Sequence, residues 1–189
     1  MQDKDPPRPP GLDEETIAFA QRIFQHTRAG HAEELAQLLD MGLPPNLRNE
    51  KGDSLLMLAC YHGHVEVAQA LLDHGGDPEL ANDRGQTPLA GAAFKGDTKI
   101  VYLLLGHGAQ VNGSGPDGRT ALMVAAMFNR TEIVELLLAH GADIHARDVR
   151  GLSAEAAARA MGAPDTPEQL ARFAQNRPPR VTQSKVRRP

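Results

Sequence analysis

"GQTPLAGAAFKGDTKIVYLLLGHG", residues 85–108, reads as two short helices with their punctuation. Thr87 has the chemistry of a helix N-cap, a side-chain oxygen that accepts from an unpaired backbone N–H. Pro88 follows at the first helical position, where its missing N–H costs nothing. Ala90, Gly91, Ala92 and Ala93 are small enough for another helix to press close. Gly96 ends the run, because a tight helix stop needs a residue tolerant of positive φ. Ile100, Val101, Leu104 and Leu105 then fall on one face of a second helix, which Gly108 closes.

The same pattern recurs along the chain. Gly52, Gly85, Gly118 and Gly151 are 33 residues apart, and each is followed two residues later by Ser54, Thr87, Thr120 or Ser153. Ala59, Ala92, Ala125 and Ala158 share the period, as do the Leu-Leu pairs at 71–72, 104–105 and 137–138. Gly42, Gly75, Gly108 and Gly141 extend it toward the N-terminus. Gly30, Gly63, Gly96 and Gly162 stop the first helix of each unit, and Asn129 takes that place in the fourth. The unit is therefore helix, tight turn, helix, extended loop. It cannot bury its apolar face alone, whereas stacked copies can.

Composition agrees with packed helices. Of 189 residues 41% are hydrophobic but only 4% aromatic, with no Trp, so the core must be Leu, Val, Ile and Ala. The net charge is −4, which argues against a nucleic-acid protein. Residues 177–189 hold five Lys or Arg and no acid, which leaves −9 for residues 1–176. A single Cys excludes an internal disulfide and points to a reducing, cytoplasmic setting. No apolar run approaches the ~20 residues of a membrane span, and "MQDKDPPRPPGLDEE" has no apolar signal core. The expected organisation is a disordered Pro-rich segment at 1–12, a repeat domain at 13–176 and a disordered basic tail at 177–189.

The repeating unit resembles the ankyrin repeat. "GQTPLAGAAFKGDTKIVYLLLGHGAQVN" and "GRTALMVAAMFNRTEIVELLLAHGADIH" match closely, and "GDSLLMLACYHGHVEVAQALLDHGGDP" matches well. "AGHAEELAQLLDMGLPPN" matches in its second half, while "GLSAEAAARAMGAPDTPEQLARFAQ" lacks the Leu-Leu-Gly ending. The resemblance implies an all-α solenoid of about five stacked helix-turn-helix repeats, the two outer ones serving as caps. Glu155, in place of the core leucine found at Leu56, Leu89 and Leu122, fits a wetter outer face. "TPEQ", residues 166–169, has the form of a capping box for the last helix. Residues 13–28 predict a longer first helix, with Ile17, Phe19, Ile23 and Phe24 available for packing. The family's His in Thr-Pro-Leu-His is Met57, Ala90 and Met123 here, so cohesion between repeats rests more on apolar packing.

By the same resemblance the end of each inner helix and each loop tip face a concave groove. Tyr61, Phe94 and Met127 would form a stripe, followed by His62, Lys95 and Phe128. The loop tips contribute Glu50, Lys51 and Asp53; Asp83, Arg84 and Gln86; Asp117 and Arg119; and Arg150 and Leu152. Apolar groups rimmed by mixed charge suit a binding patch; the alternative is that these side chains fold back over the seams between repeats. Protein–protein recognition is the function the resemblance implies, by an adaptor, inhibitor or stabiliser that is a monomer when free. The rival reading is a nucleic-acid or acidic partner held by the basic tail. "PPRPPG", near the start, could form polyproline II and dock an aromatic groove, or serve as a spacer.

Other signals carry less. "GSGPDG", residues 113–118, satisfies GxGxxG, but Gly118 belongs to the repeat series and a loop tip is expected. Cys60, His62 and His64 lack a fourth metal ligand nearby, and Cys60 aligns with Ala93 and Ala126 as a small buried residue. His74, His107 and His140, at the ends of successive helices, suit hydrogen bonds to free carbonyls. No catalytic constellation and no cofactor motif stands in a credible context, so no enzyme activity is expected.

Overall fold

The computed structural model describes residues 14–176. The Pro-rich and basic terminal stretches, and the expectation of disorder placed on them, lie outside the described residues. The chain runs through α1 (Glu14–Ala29), α2 (Ala32–Asp40), α3 (Leu55–His62), α4 (Val65–Asp73), α5 (Pro88–Lys95), α6 (Thr98–Gly106), α7 (Ala121–Met127), α8 (Thr131–Ala139), α9 (Ala154–Ala160) and α10 (Thr166–Asn176). Consecutive pairs form five repeats. The inner helices α1, α3, α5, α7 and α9 pack in one row, and the outer helices α2, α4, α6, α8 and α10 in a second.

The helix boundaries follow local chemistry. Ser54, Thr87, Thr120 and Ser153 are all N-caps, their hydroxyl oxygens accepting from the N–H groups of Met57, Ala90, Met123 and Ala156. Gly63 and Gly96 close α3 and α5 in the left-handed conformation, and Asn129 adopts φ 54° after α7. Ala59, Ala92, Ala93, Ala125 and Ala126 are wholly buried where the inner helices meet, and the core continues unbroken from Ile23 to Leu170. Glu155, partly exposed on α9 of the last repeat, pairs with Arg159 at 2.9 Å. In α1, Ile23 and Phe24 are buried but Ile17 and Phe19 stay exposed, so only the second half of that helix joins the core.

The start of α10 departs from the capping box. Thr166 is already helical, and its hydroxyl donates to the Ala126 carbonyl at 2.6 Å. Gln169 donates its amide to the Thr131 carbonyl and to Glu135 instead of reaching back to its own helix. The cap comes from the preceding repeat. Asn129 Oδ1 accepts from the N–H groups of Asp165 and Thr166, and its Nδ2 donates to Asp165 Oδ2 at 2.8 Å.

Between repeats the loops form hairpins whose tips stack. The N–H of Asp83 donates to the Lys51 carbonyl, and that of Val149 to the Asp117 carbonyl. The corresponding donor at the middle seam would be residue 116, which is Pro and has no N–H. Close packing replaces the bond there: a Cβ on Gly115 would overlap the Gly85 carbonyl oxygen, and one on Gly85 would overlap Pro116. The "GSGPDG" stretch is thus a hairpin tip, bridged from Ser114 to Thr120. Gly115→Ala is expected to cost about 1–3 kcal/mol by overpacking a backbone contact that cannot yield; urea unfolding measures it, and an unchanged midpoint would contradict the packing account.

The histidines end the outer helices as expected, and they do more. Nδ1 of His74, His107 and His140 meets the carbonyls of Ala70, Leu103 and Leu136. Nε2 of His74 reaches Asp40 of the preceding repeat at 3.0 Å, and Nε2 of His107 reaches Asp73 at 3.4 Å. His140 instead meets the Tyr102 ring edge-on. The Asp40 hydrogen bond, followed by that to the Ala70 carbonyl, raises the His74 pKa above its ordinary 6.5. A raised folded-state value makes this contribution complete below pH 6.5 and removes it as pH climbs through the folded value. In Asp40→Asn, the His74 imidazole titration followed by NMR should fall back toward the ordinary value. An unmoved titration would show that Asp40 is not the cause.

Candidate partner-binding groove

Inner helices α3 and α5 are both eight residues long and α7 is seven. Starting from equivalent caps, they end in register, and their last residues come together. The Tyr61 and Phe94 rings stack with centroids 6.0 Å apart and planes 5° from parallel. Phe94 meets Phe128 edge-on at 4.5 Å. The aromatic ladder therefore runs Tyr61–Phe94–Phe128, with Phe128 as its third rung where Met127 was expected. Phe128 lies just beyond α7, whose chain turns back at Asn129. Met127 is half-buried beside it. Tyr61 is 44% and Phe128 38% exposed, so the ladder is not sealed between repeats. Aromatic pairs in these geometries are each worth about 0.5–1.5 kcal/mol beyond area burial.

The ladder belongs to one cavity of about 970 Å³. Its wall includes Tyr61, His62, Phe94 and Met127 from the inner helices, Phe128 just past α7, and Lys51, Asp53, Arg84, Gln86, Asp117 and Arg119 from the hairpins. Glu50 lines it too, while Asp83 and Leu152 do not. Two residues expected there also lie outside the lining. Lys95 sits with its Nζ 5.1 Å from the Tyr61 ring centre, a cation–π contact. Arg150 is held by Asp148, at 3.1 Å from Nε and 3.0 Å from Nη2. Asp148 needs that partner because its side chain is nearly inaccessible and its carboxylate also accepts from backbone N–H groups.

The floor varies with side-chain volume. Leu58, Gly91 and Val124 hold equivalent positions, as do Met57, Ala90 and Met123. The middle repeat is the smallest at both, so its side chains take the least room on the floor. Met57 partly fills the space: a Cβ on Gly91 would lie 3.3 Å from its sulfur.

One wall was not foreseen. Ile17, Ala20, Phe24 and Arg28 of α1 line the same cavity. Their spacing is that of one helical face, so the face was visible in the sequence. That it borders the groove depends on how α1 packs on α3. At 16 residues, α1 is twice as long as α3, so its first turns extend past the helix it packs against.

Charge on the rim is mixed but unequally paired. Arg48 binds Asp83 at 3.0 Å, Arg119 lies 3.6 Å from Asp117, and Asp53 accepts from Asn49 and Asn82. Among the described residues no ion pair engages Arg28, Lys51, Arg84 or Glu50. The His62 pKa is lowered by partial burial first, then by the charges of His64, Lys95 and Arg28. A groove with apolar rungs and spare cations can bind by contact and charge. The nucleophile nearest to it, Cys60, is fully buried with its thiol pKa pushed up by desolvation. Among the described residues no group of three or more His, Cys, Asp or Glu side chains could hold a metal ion. No helix there is long and apolar enough to cross a membrane.

Comparison with known proteins agrees with the repeat geometry. Residues 23–114 and 74–148 match the family described as ankyrin repeats (three copies). A curated protein of Pseudomonas aeruginosa, which carries the name of an ankyrin repeat protein, is 60% identical over 58 residues. That match covers 31% of this chain and 33% of the relative, so the chain spans about a third of that protein's length.

Proposed function

The chain belongs to the ankyrin-repeat family, and from that premise we propose that it recognises one partner protein through its concave groove. Ankyrin repeats are generally protein–protein interaction modules and typically non-enzymatic. The observation that carries the groove reading is the part-exposed ladder Tyr61–Phe94–Phe128 above a floor whose smallest residue is Gly91. Monomers seldom leave contiguous aromatic surface open without use, and aromatic side chains dominate binding hot spots. Met127 adds an adaptable contact. Lys51, Arg84 and Arg119 set orientation and association rate, as rim charges do, and Gln86 adds a neutral hydrogen-bonding group. The stacked helices hold the groove open in advance, which lowers the ordering cost of binding. In this reading the protein is an adaptor, inhibitor or stabiliser, acting as a monomer in the cytoplasm.

Affinity capture from the native cell extract tests it, with Tyr61→Ala/Phe94→Ala as the paired control. The expected result is one protein retained by the native chain and weakened more than ten-fold by the double variant, with unchanged circular dichroism. Equal retention by a folded double variant refutes the groove.

A further inference from the structure

We infer that the groove is built to take a polyproline II strand and that its resident occupant is this chain's own segment Asp5–Gly11, "DPPRPPG". The inference rests on the reading of the groove as a binding surface and adds the chemistry of what it binds.

Three observations support this. First, the ladder's spacing suits the ligand. Polyproline II advances about 3.1 Å per residue, so two residues cover about the 6.0 Å between the Tyr61 and Phe94 rings. Flat prolines stack on aromatic faces, and they bring little conformational entropy to lose. The segment carries two proline pairs, Pro6-Pro7 and Pro9-Pro10, separated by Arg8.

Second, the attachment point is right. Thr16 and Ile17, in the first turn of α1, line the same cavity as Tyr61 and Phe94. The start of α1, to which the segment is tethered, thus lies at the groove. In the sequence the prolines stand a few residues upstream, and Gly11, a residue with wide backbone freedom, separates them from the helix.

Third, the charges complement each other. Among the described residues the groove's cations without an ion pair are Arg28, Lys51 and Arg84, with Lys95 beside Tyr61. The proline run is flanked by Asp3, Asp5 and Asp13 with Lys4 among them, and its one central cation, Arg8, can face Glu50, which no ion pair engages among the described residues. The basic stretch 177–189 is the rival occupant within the chain. In the sequence it follows α10, the last helix, and it holds five positive charges, while the rim has spare positive charge of its own. Like charge disfavours it. Tethering lets even weak contacts suffice. At an effective concentration of about 1 mM, a segment with an intrinsic Kd of about 0.1 mM fills its site and weakens a competitor about ten-fold. An external partner would then have to displace the segment or carry a similar proline strand.

The test uses the full chain with 13C-methyl methionine. Met57 and Met127 line the groove, while the exposed Met41 and Met161 lie outside it and serve as controls. Pro6→Gly, Pro7→Gly, Pro9→Gly and Pro10→Gly are introduced together. The expected result is movement of the Met57 and Met127 methyl signals with Met41 and Met161 unmoved. A synthetic peptide of residues 1–13 should then bind the proline-free variant about ten-fold more tightly than the native chain, and adding Phe94→Ala should abolish that binding. Superimposable methyl spectra overturn the inference. So do groove signals that move only when the basic residues of 177–189 are changed to Gln, which makes the tail the occupant, or signals that depend on protein concentration, which makes it a second copy. If spectra superimpose while partner capture still requires Tyr61 and Phe94, the groove reading stands and this inference alone falls.

Discussion

Leu104→Ala should lower the unfolding free energy by about 2–5 kcal/mol. Leu104 has no exposed surface and sits on α6, the outer helix of the central repeat, which packs against α4, α5 and α8. Truncation removes the transfer free energy of three carbons and leaves a cavity that four helices would have to move to close. Its neighbour Leu105 is only half-buried, so Leu105→Ala should cost less than half as much. Urea unfolding followed by circular dichroism measures both. Equal losses at the two positions would mean that burial does not govern stability here. A solenoid is held by nearest-neighbour contacts, so a weakened central repeat also bears on cooperativity. A fall in midpoint with an unchanged m-value indicates that the repeats still unfold together, whereas a fall in m indicates that the two ends have uncoupled.

Asn129→Ala is expected to cost about 2 kcal/mol, from two separable causes. Alanine is strained at φ 54°, and it cannot make the three hydrogen bonds that cap α10. Asn129→Gly separates them. Glycine accepts the backbone angle and still loses the hydrogen bonds, so it should be destabilising by about half as much. If Asn129→Gly is neutral, the side-chain cap contributes nothing and the residue is there for its backbone alone. Hydrogen exchange should localise the loss, with protection falling first in α10.

The contrast between these two sites marks how far sequence reasoning reached. Leu104 was readable because its role follows from a period: one apolar face, repeated every 33 residues, has only one sensible side to bury. Asn129 was read as the nearest substitute for glycine, which its backbone angle bears out. Its side chain, however, caps a helix that begins 37 residues later, in Thr166. Nothing local to either residue announces the pairing, and the local signal at "TPEQ" pointed to a self-contained cap that does not form.

The groove divides the same way. Most of the lining was foreseen, because equivalent caps and helix lengths that differ by at most one residue bring Tyr61, Phe94 and residues 127–128 to one level. Phe128 as the third rung and α1 as the end wall were not foreseen, and Arg150 was expected in the lining when Asp148 holds it elsewhere.

The sequence by itself determined the repeat, the helices, their caps and stops, and the all-α solenoid, because each rests on hydrogen bonds and apolar spacing within a few residues of chain. Only the tertiary structure decided which rings touch, which group of the preceding repeat each histidine of the outer row meets, and which cations among the described residues are left unpaired at the rim. Those depend on angstrom-scale offsets between neighbouring repeats, and such offsets are set by the packing of whole helices on one another.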